Sequence, residues 1–276
     1  KQWTKNALLF AGYLFTIEQG HSIAELVRVL AACGIFCAIS GGTYIINDVV
    51  DVKRDRKHPL KCKRPIASGA LPVGTAIVLA ALILGGSLYW AHRLEGFFWI
   101  AAAAYLALSL SYSAALKQLV IVDVLAIAAG FVIRAVAGAV VIDVKISPWL
   151  LLCTTLLALF LGLAKRRNEL LTLEEGHKHR RTLGQYSVPM LDQMLSVTAS
   201  ATLMAYCLYT FTGETGQQHP LMMATIPFVV YGLFRYMLLI QNRNAGGSPE
   251  LVLLEDKPML LNMLLYILTA AAALKL

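Results

Sequence analysis

Residues 22–55 read SIAELVRVLAACGIFCAISGGTYIINDVVDVKRD, and this stretch indicates the fold class. Its first part, 22–48, is an apolar run longer than the ~20 residues that a helix needs to cross the hydrocarbon core of a bilayer. Three carboxylates lie at the end of this run and just after it: Asp48, Asp51 and Asp55. Charge is costly at a membrane, so a spanning helix that ends in an acidic cluster predicts a functional site at one edge of the bilayer.

The composition extends this conclusion to the whole chain. Of its 276 residues, 58% are hydrophobic and 14% are charged, whereas soluble domains carry about 25% charged residues. Repeated apolar runs predict an all-α polytopic membrane protein, because helices satisfy their backbone hydrogen bonds inside lipid. We expect nine transmembrane helices, at about 5–17, 22–48, 71–92, 96–114, 119–141, 147–165, 192–212, 219–240 and 257–275.

The distribution of basic residues predicts the orientation. With nine spans, most of the 24 lysines and arginines fall on one side of the membrane, and only Arg93, Lys145 and Lys275 fall on the other. The positive-inside rule makes the crowded side cytoplasmic.

Two long polar loops, 49–70 and 166–191, lie on the predicted cytoplasmic side. Each loop follows the first helix of one of two related halves, about 22–141 and 147–275, of a single integral membrane domain, 1–276. Internal repeats of this kind usually bring their corresponding segments together around one cavity. We therefore expect the two charged loops to border a common site.

The aspartates of the first loop have a spacing that suits a metal ion. Asp48, Asp51 and Asp55 share one face if the helix continues, and Asn47 precedes Asp51 by one turn. Stacked carboxylates repel one another unless a cation lies between them, and hard oxygen ligands suit Mg²⁺. The alternative is a solvated helix end paired with the basic residues of 53–56. We favour the metal site.

Three short motifs stand at predicted cytoplasmic helix ends: NDVVDVKRD (47–55), RPIASG (64–69) and YSAALK (112–117). Together they resemble the NDxxDxxxD, RPIxxG and YSxxLK elements of the UbiA superfamily of intramembrane prenyltransferases. The resemblance implies a nine-helix bundle with a cytoplasmic-side cavity in which Mg²⁺ helps to hold a diphosphate. It adds four motif residues to the candidate substrate contacts: Asn47, Arg64, Tyr112 and Lys117.

One departure from the family pattern indicates a branch. UbiA members that use prenyl diphosphates carry a second acidic motif, but the corresponding stretch here, 163–170, reads LAKRRNEL. With KQWTKN (1–6) and SPW (147–149), this stretch resembles decaprenyl-phosphate phosphoribosyltransferases. The resemblance implies transfer from phosphoribosyl pyrophosphate to a polyprenyl phosphate at the bacterial inner membrane, for precursors of cell-envelope arabinan or glycolipids. It adds Lys165, Arg166 and Glu169 to the candidate substrate contacts.

The charge of such substrates agrees with this branch. One Mg²⁺ cluster can take the pyrophosphate, but the ribose 5-phosphate and the lipid phosphate need cations directly. Candidates at cytoplasmic helix ends are Lys5, Arg64, Lys117, Lys165, Arg166 and Arg167, although topology alone also explains basic residues there. Arg134 lies in the middle of a span, where an ion pair with Asp123 and phosphate binding are equally open.

Other functions remain as alternatives. A UbiA-type prenyltransferase acting on an aromatic or glycerol-lipid acceptor is the nearest one. A transporter using Arg28, Arg134 and Arg235 is more distant, since the charged groups concentrate on one side of the predicted membrane. A structural scaffold leaves the aspartates unexplained. We expect no nucleic-acid partner, and the last two apolar spans leave room for contacts between protomers.

Overall fold

The computed structural model describes residues 2–16, 20–56, 61–94, 96–145, 147–172, 182–242 and 255–274. Every regular element within these ranges is a helix, so the all-α prediction is confirmed. The α-helices are α1 (Phe10–Phe15), α2 (Ile23–Val50), α3 (Val52–Asp55), α4 (Pro65–Ser68), α5 (Val73–Leu94), α6 (Phe98–Ala114), α7 (Val122–Val140), α8 (Pro148–Thr172), α9 (Val188–Thr212), α10 (Glu214–Gln218), α11 (Ile226–Asn242) and α12 (Lys257–Ala273). Short 3-10 helices cover Gln2–Leu9, Lys61–Lys63, Leu116–Gln118, Leu183–Gln185 and Pro220–Thr225.

The long helices have the dimensions of membrane spans. Six helical runs of the described residues are long and apolar enough to cross a bilayer: α2, α5, α7, α8, α9 and the run Pro220–Gln241. Two more apolar helices, α6 and α12, have 17 residues each. A described helix coincides with each of the nine predicted spans. Their crossing of the bilayer at all nine places stays a prediction.

Two predicted boundaries differ from the structure. Helix α8 continues to Thr172 instead of ending near 165, and α9 begins at Val188 instead of 192. The basic residues 165–167 therefore lie on a helix, not at the start of a loop. Some residues assigned to loops and ends, namely Lys1, 57–60, 173–181 and Lys275, lie outside the described residues.

The start of α2 follows directly from its sequence. The Ser22 hydroxyl accepts a hydrogen bond from the Glu25 N–H at 3.2 Å, and the Glu25 carboxylate accepts one from the Ser22 N–H at 2.8 Å. This capping box fixes where the helix begins. At 1.5 Å per residue, the 28 residues of α2 span roughly 42 Å against a hydrocarbon core of about 30 Å. The last turns of α2, with Asn47 and Asp48, therefore have the length to reach past the core.

Tertiary contacts divide the chain into two compact units. The first comprises Lys1–Lys117 and Ala129–Ile146, and the second comprises Gln118–Ala128 and Ser147–Leu276. Both the units and the predicted halves change over between α7 and α8, but residues 118–128 belong to the second unit. A repeat relation between the halves, and one domain over 1–276, stay predictions.

Each unit has its own apolar core. In the first, α2 packs against α5 and α6, and the rings of Phe36 and Tyr105 lie 5.2 Å apart. In the second, α8 packs against α9 and α11 against α12, and the rings of Phe160 and Tyr236 lie 5.5 Å apart. These cores hold the helix ends that carry the charged side chains.

A close approach in the first unit gives a test of the N-terminal packing. A Cβ added at Gly138 would overlap the Leu9 carbonyl oxygen, whereas one added at Gly85 has nothing within 4 Å. We expect Gly138→Ala to displace the Gln2–Leu9 helix and to cost about 1–3 kcal/mol of stability. Gly85→Ala, also in a helix, is the matched control and should be neutral or slightly stabilising. Thermal unfolding in detergent measures both, and equal midpoints for the two variants contradict the described packing.

Candidate active site

The three predicted aspartates lie at the end of α2 and on α3. Helix α2 ends at Val50, and Asp51 has φ −89° and ψ 2° between the two helices. The hydrogen-bond spacing nevertheless continues, because the Asp51 N–H donates to the Asn47 carbonyl at 2.9 Å and the Asp55 N–H donates to the Asp51 carbonyl at 2.8 Å. Asp48 and Asp55 therefore stay on one side of the segment, where both meet the same cation.

That cation is Arg64. Its Nη1 donates to Asp48 Oδ1 at 2.7 Å and to Asp55 Oδ2 at 2.9 Å. Arg64 is the N-cap residue of α4, and Pro65 occupies the first helical position. Gly69 ends the helix with φ +87°, a left-handed conformation that favours glycine. The RPIASG motif is thus a tight helical turn that fixes the backbone of Arg64.

Lys117 contacts the third aspartate. Its Nζ lies 2.9 Å and 3.0 Å from the two carboxylate oxygens of Asp51, and 3.2 Å from Asn47 Oδ1. The side chains of Lys117 and Asp51 are only 14% and 20% exposed. The YSAALK segment places this lysine, because the 3-10 helix Leu116–Gln118 follows the end of α6. The structure thus brings six predicted site residues together: Asn47, Asp48, Asp51, Asp55, Arg64 and Lys117.

A second charged cluster lies within the second unit. The Arg166 side chain is 1% exposed, its Nε lies 3.4 Å from Asp123 Oδ2, and its Nη1 donates to Glu169. The Tyr186 hydroxyl donates to Asp123 Oδ1 at 3.2 Å and accepts a hydrogen bond from the Ile121 N–H at 2.8 Å. Burial, together with the neighbouring Asp123 carboxylate, raises the pKa of Tyr186, so its phenol stays protonated and donates.

Ile121 has a strained backbone. Its φ is +68°, a region that β-branched residues rarely adopt. Its carbonyl accepts hydrogen bonds from the N–H groups of Val124 and Leu125, both at 3.0 Å. Together with the hydrogen bond to Tyr186, these contacts hold the start of α7 and therefore position Asp123.

The other basic residues of the KRRNE segment have different surroundings. Arg167 Nε donates to Asp192 Oδ1 at 2.5 Å, and its Nη1 donates to the Ile240 carbonyl at 3.2 Å. These contacts tie α8 to α9 and α11. Lys165 is half-buried on the same helix. In this structure, both guanidinium groups of the segment are held by carboxylates.

Comparison with known proteins identifies the family. A sequence model of the UbiA prenyltransferase family matches residues 7–264. The chain belongs to this family. The resemblance of the three motifs to UbiA proteins is confirmed.

Individual UbiA relatives resemble the chain over nearly its full length. Decaprenyl-phosphate phosphoribosyltransferase of Mycolicibacterium smegmatis is 33% identical to it, over 99% of this chain and 90% of the relative. The enzyme of that name from Corynebacterium glutamicum is 32% identical, over 93% of this chain and 79% of the relative. A solved structure of a UbiA homolog from Archaeoglobus fulgidus bound to GPP and Mg²⁺ superposes with a TM-score of 0.73, over 100% of this chain and 96% of the homolog. At 19% identity, that likeness shows the UbiA fold alone.

The acidic cluster of this UbiA protein suits a divalent cation in its donor atoms. Within the described ranges, no three His, Cys, Asp or Glu side chains are gathered closely enough to hold a metal ion together. Arg64 and Lys117 account for this, because each aspartate is turned toward one of them. Asp48 Oδ1 and Asp55 Oδ2 nevertheless converge on one point, the Arg64 Nη1, and carboxylate oxygens are the ligands that Mg²⁺ prefers. The donor atoms are of the type that the ion prefers, and in this structure Arg64 occupies the point where they converge.

Arg134 has neutral partners in the first unit. Its guanidinium donates to Asn6 Oδ1 at 2.8 Å, to the Tyr105 hydroxyl at 2.5 Å and to the Gly130 carbonyl at 3.0 Å. The Tyr105 ring also lies 4.5 Å from the guanidinium carbon, in a cation–π contact. Asp123, the ion-pair partner that the sequence left open, pairs with Arg166 instead. Phosphate binding by Arg134 stays a prediction.

The remaining predicted residues divide between the units. Lys5 lies in the Gln2–Leu9 helix and Tyr112 lies on α6, both half-buried in the first unit. Glu169 lies on α8, where it accepts from Arg166. Arg166 has almost no exposed surface and two carboxylate partners, so in this structure it forms a structural ion pair. Its binding of a substrate phosphate stays a prediction.

Sequence reasoning missed three residues that complete these clusters: Tyr105, Tyr186 and Asp192. Tyrosines in or beside apolar helices ordinarily pack, and nothing in their spacing distinguishes those whose hydroxyl meets a charged group. The sequence could have indicated Asp192, since an acidic residue at the edge of an apolar run usually has a charged partner or a function.

Proposed function

We propose that this protein transfers the 5-phosphoribosyl group of phosphoribosyl pyrophosphate to a polyprenyl phosphate and releases pyrophosphate. The observation that carries the proposal is the 33% identity, over 99% of the chain, to a UbiA enzyme named decaprenyl-phosphate phosphoribosyltransferase. We place the reaction at the cytoplasmic face of a bacterial inner membrane. The lipid product would serve the synthesis of cell-envelope arabinan or glycolipids.

Mg²⁺ is part of the proposal. Asp48, Asp51 and Asp55 are the residues that would hold it, and the convergence of two of their oxygens on one point supports this assignment. When bound, the ion would neutralise charge on the departing pyrophosphate. Mg²⁺ is reluctant to lose its water ligands and is usually held by one or two carboxylates together with substrate phosphates. Three aspartates on one short segment are therefore sufficient protein ligands.

The side chains around the aspartates supply positive charge. Arg64 and Lys117 are both within hydrogen-bond distance of the acidic cluster, so phosphate oxygens bound there come within their reach. Arginine binds phosphate through paired N–H groups, and lysine acts as a point charge. We assign these two residues to orienting the pyrophosphate portion of the donor.

The acceptor needs no general base. A phosphomonoester has its second pKa at about 6 and is largely ionised at neutral pH. Its oxygen forms the new bond to the ribose C1 while the bond from C1 to the pyrophosphate oxygen breaks, which inverts the anomeric centre. Positioning and electrostatic stabilisation then account for the rate.

A transfer assay tests the function. The purified full chain in detergent is given labelled phosphoribosyl pyrophosphate and polyprenyl phosphate, with Mg²⁺ or with a chelator in excess. We expect a labelled phosphoribosyl lipid and free pyrophosphate only when Mg²⁺ is present. A second arm offers a prenyl diphosphate with an aromatic acceptor. Product in that arm and none in the first overturns the proposed donor and acceptor.

A further inference from the structure

Two cations engage all three aspartates of the acidic cluster. Arg64 uses a single nitrogen for Asp48 and Asp55, at 2.7 Å and 2.9 Å. Lys117 contacts both oxygens of Asp51, at 2.9 Å and 3.0 Å. The cluster therefore carries its own positive charges at the point where a metal ion would have to enter.

A metal ion and the Arg64 nitrogen cannot share that point. Mg²⁺ requires oxygen ligands at about 2.0–2.1 Å, which is shorter than either of the two contacts to Arg64 Nη1. The guanidinium must therefore leave Asp48 and Asp55 before both carboxylates can bind the ion.

We propose that Arg64 is an exchangeable placeholder: it holds the metal-binding aspartates together, yields them to the entering metal, and then binds the pyrophosphate that accompanies the metal. This inference rests on the metal site of the proposed function. It predicts that Arg64 has opposite effects on two affinities: its side chain weakens binding of the metal alone and strengthens binding of the metal–pyrophosphate complex.

The local structure permits this exchange without backbone movement. The position of Arg64 before Pro65 and the turn that Gly69 closes fix its main chain. Its side chain is 38% exposed, whereas that of Asp55 is 5% exposed. The arginine is thus the partner with space to rotate, and the buried carboxylate stays in place.

The test measures binding rather than turnover. The full chain in detergent is titrated first with Mn²⁺ alone, followed by electron paramagnetic resonance, and then with a preformed complex of Mg²⁺ and inorganic pyrophosphate, followed by calorimetry. In Arg64→Gln we expect Mn²⁺ to bind about tenfold more tightly and the pyrophosphate complex about tenfold more weakly. These opposite signs distinguish a placeholder from a simple phosphate ligand, which would leave Mn²⁺ affinity unchanged.

Arg54→Gln is the matched control. Arg54 belongs to the same segment, its side chain is 72% exposed, and its Nη1 is 3.9 Å from Asp51 Oδ1. Its removal deletes one positive charge close to the same aspartates. If losing a nearby positive charge is enough to raise Mn²⁺ affinity, this variant shows the increase too. We expect Mn²⁺ affinity to change less than twofold. Equal tightening in Arg54→Gln and Arg64→Gln overturns the placeholder role.

Arg64→Lys covers the case in which Arg64→Gln does not fold. It keeps the charge but loses the planar group, so we expect Mn²⁺ to bind about threefold more tightly than in the wild type. An unchanged Mn²⁺ affinity in the folded Arg64 variants overturns the proposal. If the wild type fails to transfer phosphoribosyl but the reversal of sign is seen, the exchange stands and the proposed function falls. If transfer is seen without the reversal, only the exchange falls.

Discussion

Asp51→Asn is expected to lower phosphoribosyl transfer at least ~1,000-fold, equivalent to about 4 kcal/mol of lost transition-state stabilisation. The amide removes one negative charge from the proposed Mg²⁺ ligands. It also deprives Lys117 of the carboxylate whose two oxygens lie 2.9 Å and 3.0 Å from its Nζ. The measurement is the initial rate with labelled phosphoribosyl pyrophosphate at saturating polyprenyl phosphate, compared at several Mg²⁺ concentrations.

Asp143→Asn provides the matched control, since it makes the same chemical change at another position of the first unit. Asp143 is exposed and has φ +53°, a conformation that asparagine tolerates well. We expect its turnover and its thermal midpoint to equal those of the wild type. Retention of more than a tenth of the activity in folded Asp51→Asn would remove the acidic cluster from the mechanism.

Arg166→Met is expected to cost about 3–5 kcal/mol of stability, because it removes the buried guanidinium that faces the Asp123 carboxylate. Asp123 is fully buried, and the hydroxyl of Tyr186 then remains as a neutral donor to its carboxylate. Thermal unfolding in detergent, followed by the loss of helical circular dichroism, measures the change as a large fall in the midpoint.

A double variant separates the buried charge from the lost packing. Asp123→Asn combined with Arg166→Met removes both charges, so we expect it to recover more than half of the lost stability. Arg54→Met, at a side chain 72% exposed, should cost less than ~0.5 kcal/mol. A midpoint for Arg166→Met as high as that of Arg54→Met shows that the buried pair does not stabilise the protein.

Hydropathy predicted the helices well because every spanning segment needs a long apolar run to cross the bilayer. Each of the predicted apolar runs coincides with a described helix, and the errors are at the ends. Helix α8 passes its predicted end by seven residues, to Thr172. Polar residues such as Asn168 do not stop a helix once it has left the lipid, so composition could not locate that end.

The acidic site was predictable because its residues are close together in the sequence. The spacing predicted Asp48, Asp51 and Asp55 on one side. In the structure Asp48 and Asp55 meet Arg64, whereas Asp51, at the break between the two helices, faces Lys117. The sequence assigned Arg64 and Lys117 to substrate phosphates. Their contacts with the aspartates could not be predicted, because the spacing of residues in the sequence does not give the distances between side chains in the folded chain.

The charged cluster of the second unit was not predictable in this way, because its residues are far apart in the sequence. The basic segment beginning at Lys165 suggested cations facing substrate, but Arg166 and Arg167 are held by Asp123, Glu169 and Asp192. Asp123 and Asp192 are distant in sequence from the arginines that they meet. The sequence therefore shows that a charged arginine lies near a membrane edge, but it does not show which residue pairs with it.

The conformation of Ile121 has a consequence for the order of folding. Its strained backbone is held by the hydroxyl of Tyr186, which lies 65 residues later in the chain. During synthesis, α7 and all of α8 are made before this tyrosine exists. The link between α6 and α7 therefore cannot reach its final shape until the chain has been made as far as Tyr186. Asp123 gains its hydrogen bond from Tyr186 at that stage, so the second charged cluster can be complete before α9–α12 of its unit have been made.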